Sequence, residues 1–275
     1  MIFLSSDSLS RVNNAIGIFD SGLGGLTVWR ELQAVMPYER FIYVADSKYA
    51  PYGNKDSETV LQRALSIAET LTQTHQIKAL VVACNTATAA AVFQLREILD
   101  IPVIGMEPAL KPAVEQSKSG IVGILATENT LQSDKFSNLL DAHQHKARVL
   151  TQPCTGLVEV IEQGKLYAEK TKSLLASYVL PLVDEGVDTL VLGCTHYPWL
   201  EPVIRELVGD DMTIISTGKA VAKQVQKHIQ AHVSNEKKQA VFYTTGHVGQ
   251  VSALASSLLQ TNIVFQPFLS QHSEP

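Results

Sequence analysis

Short apolar runs rich in valine, isoleucine and leucine alternate with longer segments of helical pattern along this 275-residue chain. Such alternation is typical of a parallel sheet whose strands are linked by helices on both faces. The runs are AIGIF, RFIYVA, ALVVA, IPVIG, GIVGIL, ARVL, TLVLG and MTII. We therefore expect an α/β protein with largely parallel sheets, in which residues 57–73 form a covering helix with Ser57 as its N-cap.

Polar residues follow the ends of corresponding apolar runs in the two halves of the chain, about 106 to 110 residues apart. In the first half they are Asp20 and Ser21, Asp46 and Ser47, and then Cys84, Asn85 and Thr86; in the second half they are Thr127, the stretch 151–154, and then Cys194, Thr195 and His196. This spacing indicates an internal duplication into two similar α/β domains. Because open parallel sheets bind ligands at the carboxyl ends of their strands, we expect the active site in the cleft between the two domains.

Two cysteines occupy matching positions in this pattern. Cys84 and Cys194 each follow an apolar run and precede a helical pattern, so the positive end of a helix dipole favours the thiolate. His196 is a candidate general acid or base, since histidine titrates near neutrality. Two thiols that face each other across a substrate could invert a stereocentre, one removing a proton and the other donating one to the opposite face. The alternative is that a cysteine is a small packing residue. We interpret Cys154 as a packing residue or a loop residue.

The glycine-rich stretch 17–32, GIFDSGLGGLTVWREL, follows a strand and opens a helix, so its amides could bind an anionic group. It has neither the lysine of a phosphate-binding P-loop nor the glycine spacing of a dinucleotide loop, which makes a nucleotide the weaker interpretation. Asp20 is a candidate general base or proton-relay partner, or else a turn residue. The turn-forming stretch 50–54, APYGN, could also offer backbone amides to a carboxylate.

The composition excludes several classes of function. The formal charge is -5, and no segment gathers enough lysine and arginine to form a surface for nucleic acid. No apolar run approaches the roughly 20 residues that span a bilayer, and the start has no signal-peptide pattern, so we expect a cytoplasmic protein without membrane contact. Three dispersed cysteines without a C-x-x-C pair indicate free thiols and no metal site. A small-molecule ligand is the remaining expectation.

Five motifs together resemble the cofactor-independent aspartate/glutamate racemase superfamily, on its glutamate-specific branch. They are FDSGLGGL at 19–26, ADSKYAPYG at 45–53, ACNTAT at 83–88, GMEPA at 105–109 and GCTHYP at 193–198. The motifs extend over most of the chain and occur in the order that the family has. The resemblance implies two α/β domains of similar fold with glutamate bound between them.

The resemblance also implies roles for individual residues. Cys84 and Cys194 would be the two catalytic bases, acting on D-glutamate and L-glutamate respectively. Asp20 would support Cys84, whereas His196 and Glu162 would support Cys194. The implied glutamate contacts, with no metal and no cofactor, are Asp20, Ser21, Tyr52, Gly53, Asn85, Thr86, Thr127, Thr195 and His196. The implied domains are residues 1–107 with 216–275, and residues 108–215.

The implied reaction interconverts L-glutamate and D-glutamate, and the D-glutamate enters bacterial peptidoglycan. A homodimer follows from the same resemblance, as does activation by a peptidoglycan precursor through the roughly 15 residues before AIGIF. Two alternatives stay open: an aspartate-type racemase and a non-catalytic binding protein for a small anionic ligand. One methylene in a pocket changes binding by only about 1–3 kcal/mol, although the histidine after threonine in GCTHYP favours the glutamate branch.

Overall fold

Two parallel sheets organise the chain, which a computed structural model describes over residues 14–143, 145–229 and 236–269. The strands of the first sheet are β1 (Ile16–Asp20), β2 (Phe41–Ala45), β3 (Ala79–Val82), β4 (Val103–Gly105), β9 (Val241–Thr244) and β10 (Phe265–Pro267). Those of the second are β5 (Ile121–Ala126), β6 (Arg148–Pro153), β7 (Thr189–Leu192) and β8 (Thr213–Ser216). All neighbouring strands are parallel, which confirms the predicted fold class.

The order of the strands shows the internal duplication directly. The second sheet has the order β6-β5-β7-β8, and the first contains the same arrangement as β2-β1-β3-β4. In the first sheet, β9 and β10 extend the edge beyond β2, and the sequence patterns did not predict these two strands. Because β3 and β7 hold the same place in their sheets, the segments after them are structurally equivalent. The domain boundaries given above stay a prediction.

Helices connect the strands and cover both sheets. They are α1 (Leu26–Val35), α2 (Ser57–His75), α3 (Asn85–Ile98), α4 (Leu110–Gln116), α5 (Glu128–Leu131), α6 (Asp134–Asp141), α7 (Leu157–Glu162), α8 (Glu169–Asp184), α9 (Glu201–Val208), α10 (Gly218–His228) and α11 (Val248–Leu259). Short 3-10 turns occur at Ser47–Tyr49 and Tyr197–Leu200. Within the described residues, no helix combines the length and apolar character needed to cross a membrane.

The covering helix α2 begins where the pattern predicts, but its N-cap differs from the prediction. Asp56 is the N-cap, and its Oδ1 accepts a hydrogen bond of 2.7 Å from the Thr59 amide. A carboxylate at this position satisfies an amide in the first turn and also lies favourably at the positive end of the helix. The assignment of Ser57 as N-cap was therefore wrong, since Ser57 is already the first helical residue.

One apolar core extends from the first sheet into the second. Leu23 and Trp29, which follow β1, belong to the same cluster of buried side chains as Leu157 and Trp199 of the second half. Burial of such side chains contributes about 25 cal/mol per Å² of apolar surface, so this shared cluster stabilises the contact between the halves. The packing holds the loop after β1 against the second half.

Asp188 connects the start of β7 to the segment that leads into β5. Its carboxylate accepts hydrogen bonds from the Ser117 hydroxyl at 2.6 Å, from the Lys118 and Ser119 amides at 2.7 Å each, and from the Thr189 hydroxyl at 2.9 Å. Burial acts to raise the pKa of this carboxyl, but the hydrogen bonds outweigh it and lower the pKa to about 2. The ionised form is therefore the one that stabilises the fold.

We predict that Asp188→Ala lowers the free energy of unfolding by about 1–2 kcal/mol at pH 7, because several hydrogen bonds to a carboxylate are lost. Since the folded pKa lies below the ordinary value of 3.8, this stability is present above that pH and disappears as the pH falls towards 2. Urea unfolding at several pH values measures the difference. Asp184→Ala, at an exposed position on α8, is the control, with a change within about 0.5 kcal/mol. Equal stability of parent and Asp188→Ala at pH 7 would contradict the prediction.

Candidate active site

The two cysteines of the matching motifs lie at equivalent ends of the two sheets. Cys84 follows β3 by two residues, and Cys194 follows β7 by two residues. Both side chains are buried, with exposed fractions of 6% and 8%. The strand order that is common to both sheets therefore brings one thiol from each half of the chain to corresponding positions.

Cys84 lies at the N-terminus of α3, and its side chain is buried. Its Sγ accepts a hydrogen bond from the Ala87 amide at 3.4 Å and donates to Ser21 Oγ at 3.7 Å. Burial raises the pKa of this thiol to about 12, and the charges of Asp20 and Cys194 act in the same direction. The helix N-terminus was expected to favour the thiolate, but its amide bond is outweighed by burial. A thiol with a pKa raised in this way is protonated at neutral pH.

Cys194 has a different set of partners, which form a chain of polar groups. His196 Nδ1 lies 3.9 Å from Cys194 Sγ, and Nε2 of the same ring lies 2.6 Å from Glu162 Oε1. Burial acts to lower the pKa of His196, but the contacts with Cys194 and Glu162 and the charge of Asp20 raise it well above its ordinary value. The ring can give a proton to the sulfur as an imidazolium and can take one from it as a neutral imidazole.

Asp20, at the end of β1, is completely buried and joins both halves of the chain. Its Oδ2 accepts hydrogen bonds of 3.0 Å from the Gly22 and Gly25 amides, and its Oδ1 accepts one of 3.3 Å from the Thr195 hydroxyl. Burial raises the pKa of this carboxyl, while His196 and the two amides act in the opposite direction. Among the described residues, Asp20 acts on Cys84 through its charge rather than through a hydrogen bond to the sulfur.

The glycine-rich loop 22–25 binds side chains of the protein itself. Its amides donate to Asp20, Glu162 and His196. A Cβ on Gly22 would collide with the carboxylate of Glu162, so only glycine permits this approach. The expectation that these amides bind an anionic ligand was wrong, because acidic and imidazole groups of the protein already occupy them.

Asn85, which follows Cys84 directly, has a buried side chain without a partner. The exposed fraction of the residue is 5%, and neither Oδ1 nor Nδ2 has a hydrogen-bond partner among the described residues. A buried amide in this state costs about 1–3 kcal/mol per unsatisfied group. Such a cost is explained when a ligand supplies the missing partners, and the donor and acceptor of Asn85 fit the ammonium and carboxylate groups of an amino acid.

Three threonine hydroxyls from the two halves meet beside Asn85. Thr86 Oγ1 lies 3.0 Å from Thr127 Oγ1 and 3.3 Å from Thr130 Oγ1, and the last two oxygens are 2.9 Å apart. All three residues are buried. The structure thus brings together two predicted contacts, Thr86 and Thr127, and adds Thr130, which the sequence reasoning missed. The sequence signal that could have identified Thr130 is its spacing of three residues from Thr127.

The remaining predicted contacts lie in the turn after β2. The hydroxyl of Tyr52 donates to Asp46, to which Arg63 also binds through two hydrogen bonds, so this hydroxyl is committed within the protein. Gly53 packs against Thr127 so closely that a Cβ would lie 2.9 Å from the threonine Cβ. Of these two predicted contacts, only the backbone of Gly53 therefore stays free to contact a ligand.

Comparison with known proteins agrees with the motifs. The model of the Asp/Glu/Hydantoin racemase family matches residues 27–225. A glutamate racemase from Ectopseudomonas mendocina is 49% identical over 248 residues, which cover 89% of this chain and 94% of the relative.

Solved structures of glutamate racemases also match nearly the whole chain. An isoform from Bacillus anthracis has a TM-score of 0.85 and 35% identity, and the match covers 94% of this chain and 98% of that one. The enzyme from Escherichia coli, in complex with L-glutamate and the activator UDP-MurNAc-ala, has a TM-score of 0.82 and 26% identity over the same shares of the two chains. These likenesses confirm the predicted family and the predicted class of enzyme. The chain belongs to the Asp/Glu/hydantoin racemase family.

Proposed function

We propose that this protein interconverts L-glutamate and D-glutamate without a cofactor, by a two-thiol proton transfer at the α-carbon. The observation that carries the proposal is the pair Cys84 and Cys194, buried at equivalent strand ends of the two halves. The name of the Ectopseudomonas mendocina relative and the L-glutamate in the Escherichia coli structure support glutamate as the substrate. Cytoplasmic supply of D-glutamate for peptidoglycan is the corresponding biological role.

The polar groups that follow Cys84, together with Thr127, suit an amino acid that carries two carboxylates. The unpartnered amide of Asn85 offers both a donor and an acceptor, and the Thr86 and Thr127 hydroxyls offer donors from opposite halves. Asn85 and Thr86 also open helix α3, whose N-terminus is favourable for an anion. A dicarboxylic amino acid bound here would have one thiol on each side of its α-carbon.

In the L-to-D direction, Cys194 as thiolate removes the α-proton and becomes a thiol. The electron pair of the broken C–H bond stays on carbon until Cys84 donates its proton to the opposite face and becomes a thiolate. The protonated state of Cys84 in the closed site suits this step, because a proton donor must arrive with its proton. In the D-to-L direction the roles reverse, and the ammonium group of the substrate favours a neighbouring thiolate.

We predict that Cys84→Ala and Cys194→Ala each lower the rate of glutamate racemisation by about 10²–10⁴-fold, since each variant lacks one of the two proton-transfer groups. Binding of glutamate should survive, because the amide and hydroxyl contacts remain. Polarimetry with purified protein and no added cofactor measures the rate, and calorimetry measures the binding. Cys154→Ala is the matched control, because Cys154 is also buried but its Sγ donates to the Gln152 carbonyl at 3.3 Å.

Three results would contradict the proposal in different ways. A folded Cys84→Ala or Cys194→Ala protein that racemises glutamate at the parent rate would show that the thiols are packing residues. A parent protein that racemises aspartate but leaves glutamate unchanged would show that the substrate is wrong. A parent protein that binds glutamate but racemises neither amino acid would be a binding protein.

The chain from Cys194 to Glu162 gives a pH prediction. In Glu162→Gln the carboxylate charge that helps to raise the pKa of His196 is absent, so that pKa should fall. Because the imidazolium exists only below the pKa, kcat/KM for L-glutamate should decline at a lower pH on the alkaline side than in the parent. Glu159→Gln, one turn earlier on α7, is the control. Superimposable pH profiles of parent and Glu162→Gln would contradict this role of Glu162.

The partners of the enzyme are proposed on the same basis. The activator in the Escherichia coli structure supports regulation by a peptidoglycan precursor, and the family resemblance supports a homodimer. The segment to which regulation was assigned lies outside the described residues, apart from its last position, Asn14. Titration of racemase activity with UDP-MurNAc-alanine should raise the rate, and sedimentation should give twice the 30.0 kDa chain mass. An unchanged rate over a wide concentration range, or a monomer, would contradict the respective proposal.

A further inference from the structure

A side-chain amide from the second half of the chain holds a turn of the first half. The Lys55 amide donates to the Tyr52 carbonyl at 3.2 Å and closes the four-residue turn 52–55. Asn129, on helix α5, donates from Nδ2 to the Tyr52 carbonyl at 3.3 Å and to the Lys55 carbonyl at 2.6 Å. One amide group thus connects both ends of the turn to the opposite half.

These hydrogen bonds fix the direction of the Gly53 amide. The Tyr52 carbonyl and the Gly53 N–H belong to the same planar trans peptide unit, so they point in opposite directions. When Asn129 and Lys55 hold the carbonyl on one side, the Gly53 N–H is presented on the other. Gly53 is one of the residues for which the family resemblance implies contact with glutamate.

The segment that contains helix α5 also contacts the first half at two further points. Thr127, directly before the helix, packs against Gly53, and Thr130 within the helix bonds to Thr86 of the first half. A cavity of about 70 Å³ beside this contact is lined by the turn, by Thr127 and Glu128, and by residues between Cys154 and Glu159. The turn therefore contacts the segment 127–130 through the Gly53 backbone as well as through the Asn129 side chain.

We propose that Asn129 is a positioning residue for substrate binding. By holding the carbonyls of Tyr52 and Lys55, it aims the Gly53 amide at a substrate carboxylate when the two halves are closed. Asn129 itself does not contact the reacting atoms. This inference rests on the proposed function for the identity of the substrate. The hydrogen bonds from Asn129 to the turn do not depend on the substrate.

The test compares Asn129→Ala with Asn129→Asp. Alanine removes the donor, whereas the nearly isosteric aspartate places acceptor oxygens against two carbonyls. We expect KM for both enantiomers of glutamate to rise about five- to tenfold in Asn129→Ala and further in Asn129→Asp, with kcat changing less. A residue needed only for packing would give the opposite order, because aspartate preserves the shape. The Kd of D-glutamate by calorimetry should follow KM.

Asn138→Asp is the matched control, since it adds the same charge to the same half at an exposed position on α6. It should leave KM at the parent value. A second readout that needs no substrate is hydrogen exchange of the Lys55 amide, which should become faster in Asn129→Ala than in the parent.

The outcomes separate the two proposals. If the parent racemises glutamate but Asn129→Asp has the parent KM, the positioning role is wrong and the proposed function stands. If the parent neither binds nor racemises glutamate, the proposed function is wrong. The proposed contact between the Gly53 amide and a carboxylate of glutamate is then wrong as well. In either case, an unchanged hydrogen-exchange rate of the Lys55 amide in Asn129→Ala would show that Asn129 does not stabilise the turn 52–55.

Discussion

The buried carboxylate of Asp20 is the interaction on which the site depends. A carboxylate without water is costly unless hydrogen bonds surround it, and here two amides of the glycine-rich loop and the Thr195 hydroxyl provide them. The loop, the end of β1 and the motif after β7 are fixed together by this one group. Glu162 makes the reciprocal contact from the second half, since it binds the Leu23 amide at 2.6 Å as well as His196. Each half therefore completes the polar network of the other.

The two halves have the same strand order, yet the surroundings of their thiols differ. Cys84 is held as a thiol by burial and by the charge of Asp20, whereas Cys194 has His196 as a polar neighbour. A racemase does not need identical bases, because the enantiomers offer their α-protons on opposite faces. A duplicated fold can thus supply two positions by symmetry while the residues around them diverge. In the proposed mechanism, this difference corresponds to a proton donor on one side and a proton relay on the other.

The fold was more predictable from the sequence than the detail of the site. All eight apolar runs became strands, because buried parallel strands must be almost continuously apolar. The strands β9 and β10 were missed although the apolar runs AVFY at 240–243 and IVF at 263–265 carry the same signal. The thiol positions followed from motif spacing, but the raised pKa of Cys84 did not, because burial in the folded chain outweighs a local helix effect. Asn129 and Thr130 were missed for the same reason: their partners are distant in sequence, and only the assembled halves bring them together.

Racemisation of L-glutamate in deuterated water tests the two-thiol account most directly. The initial products are separated by chirality, and the isotope at the α-carbon of each enantiomer is measured by mass spectrometry. The account predicts that D-glutamate carries one deuterium while the remaining L-glutamate keeps protium, because Cys194 removes one hydrogen and Cys84 delivers another that has exchanged with solvent. D-glutamate that retains the original protium, or L-glutamate that takes up deuterium before it inverts, would indicate a single base and contradict the account.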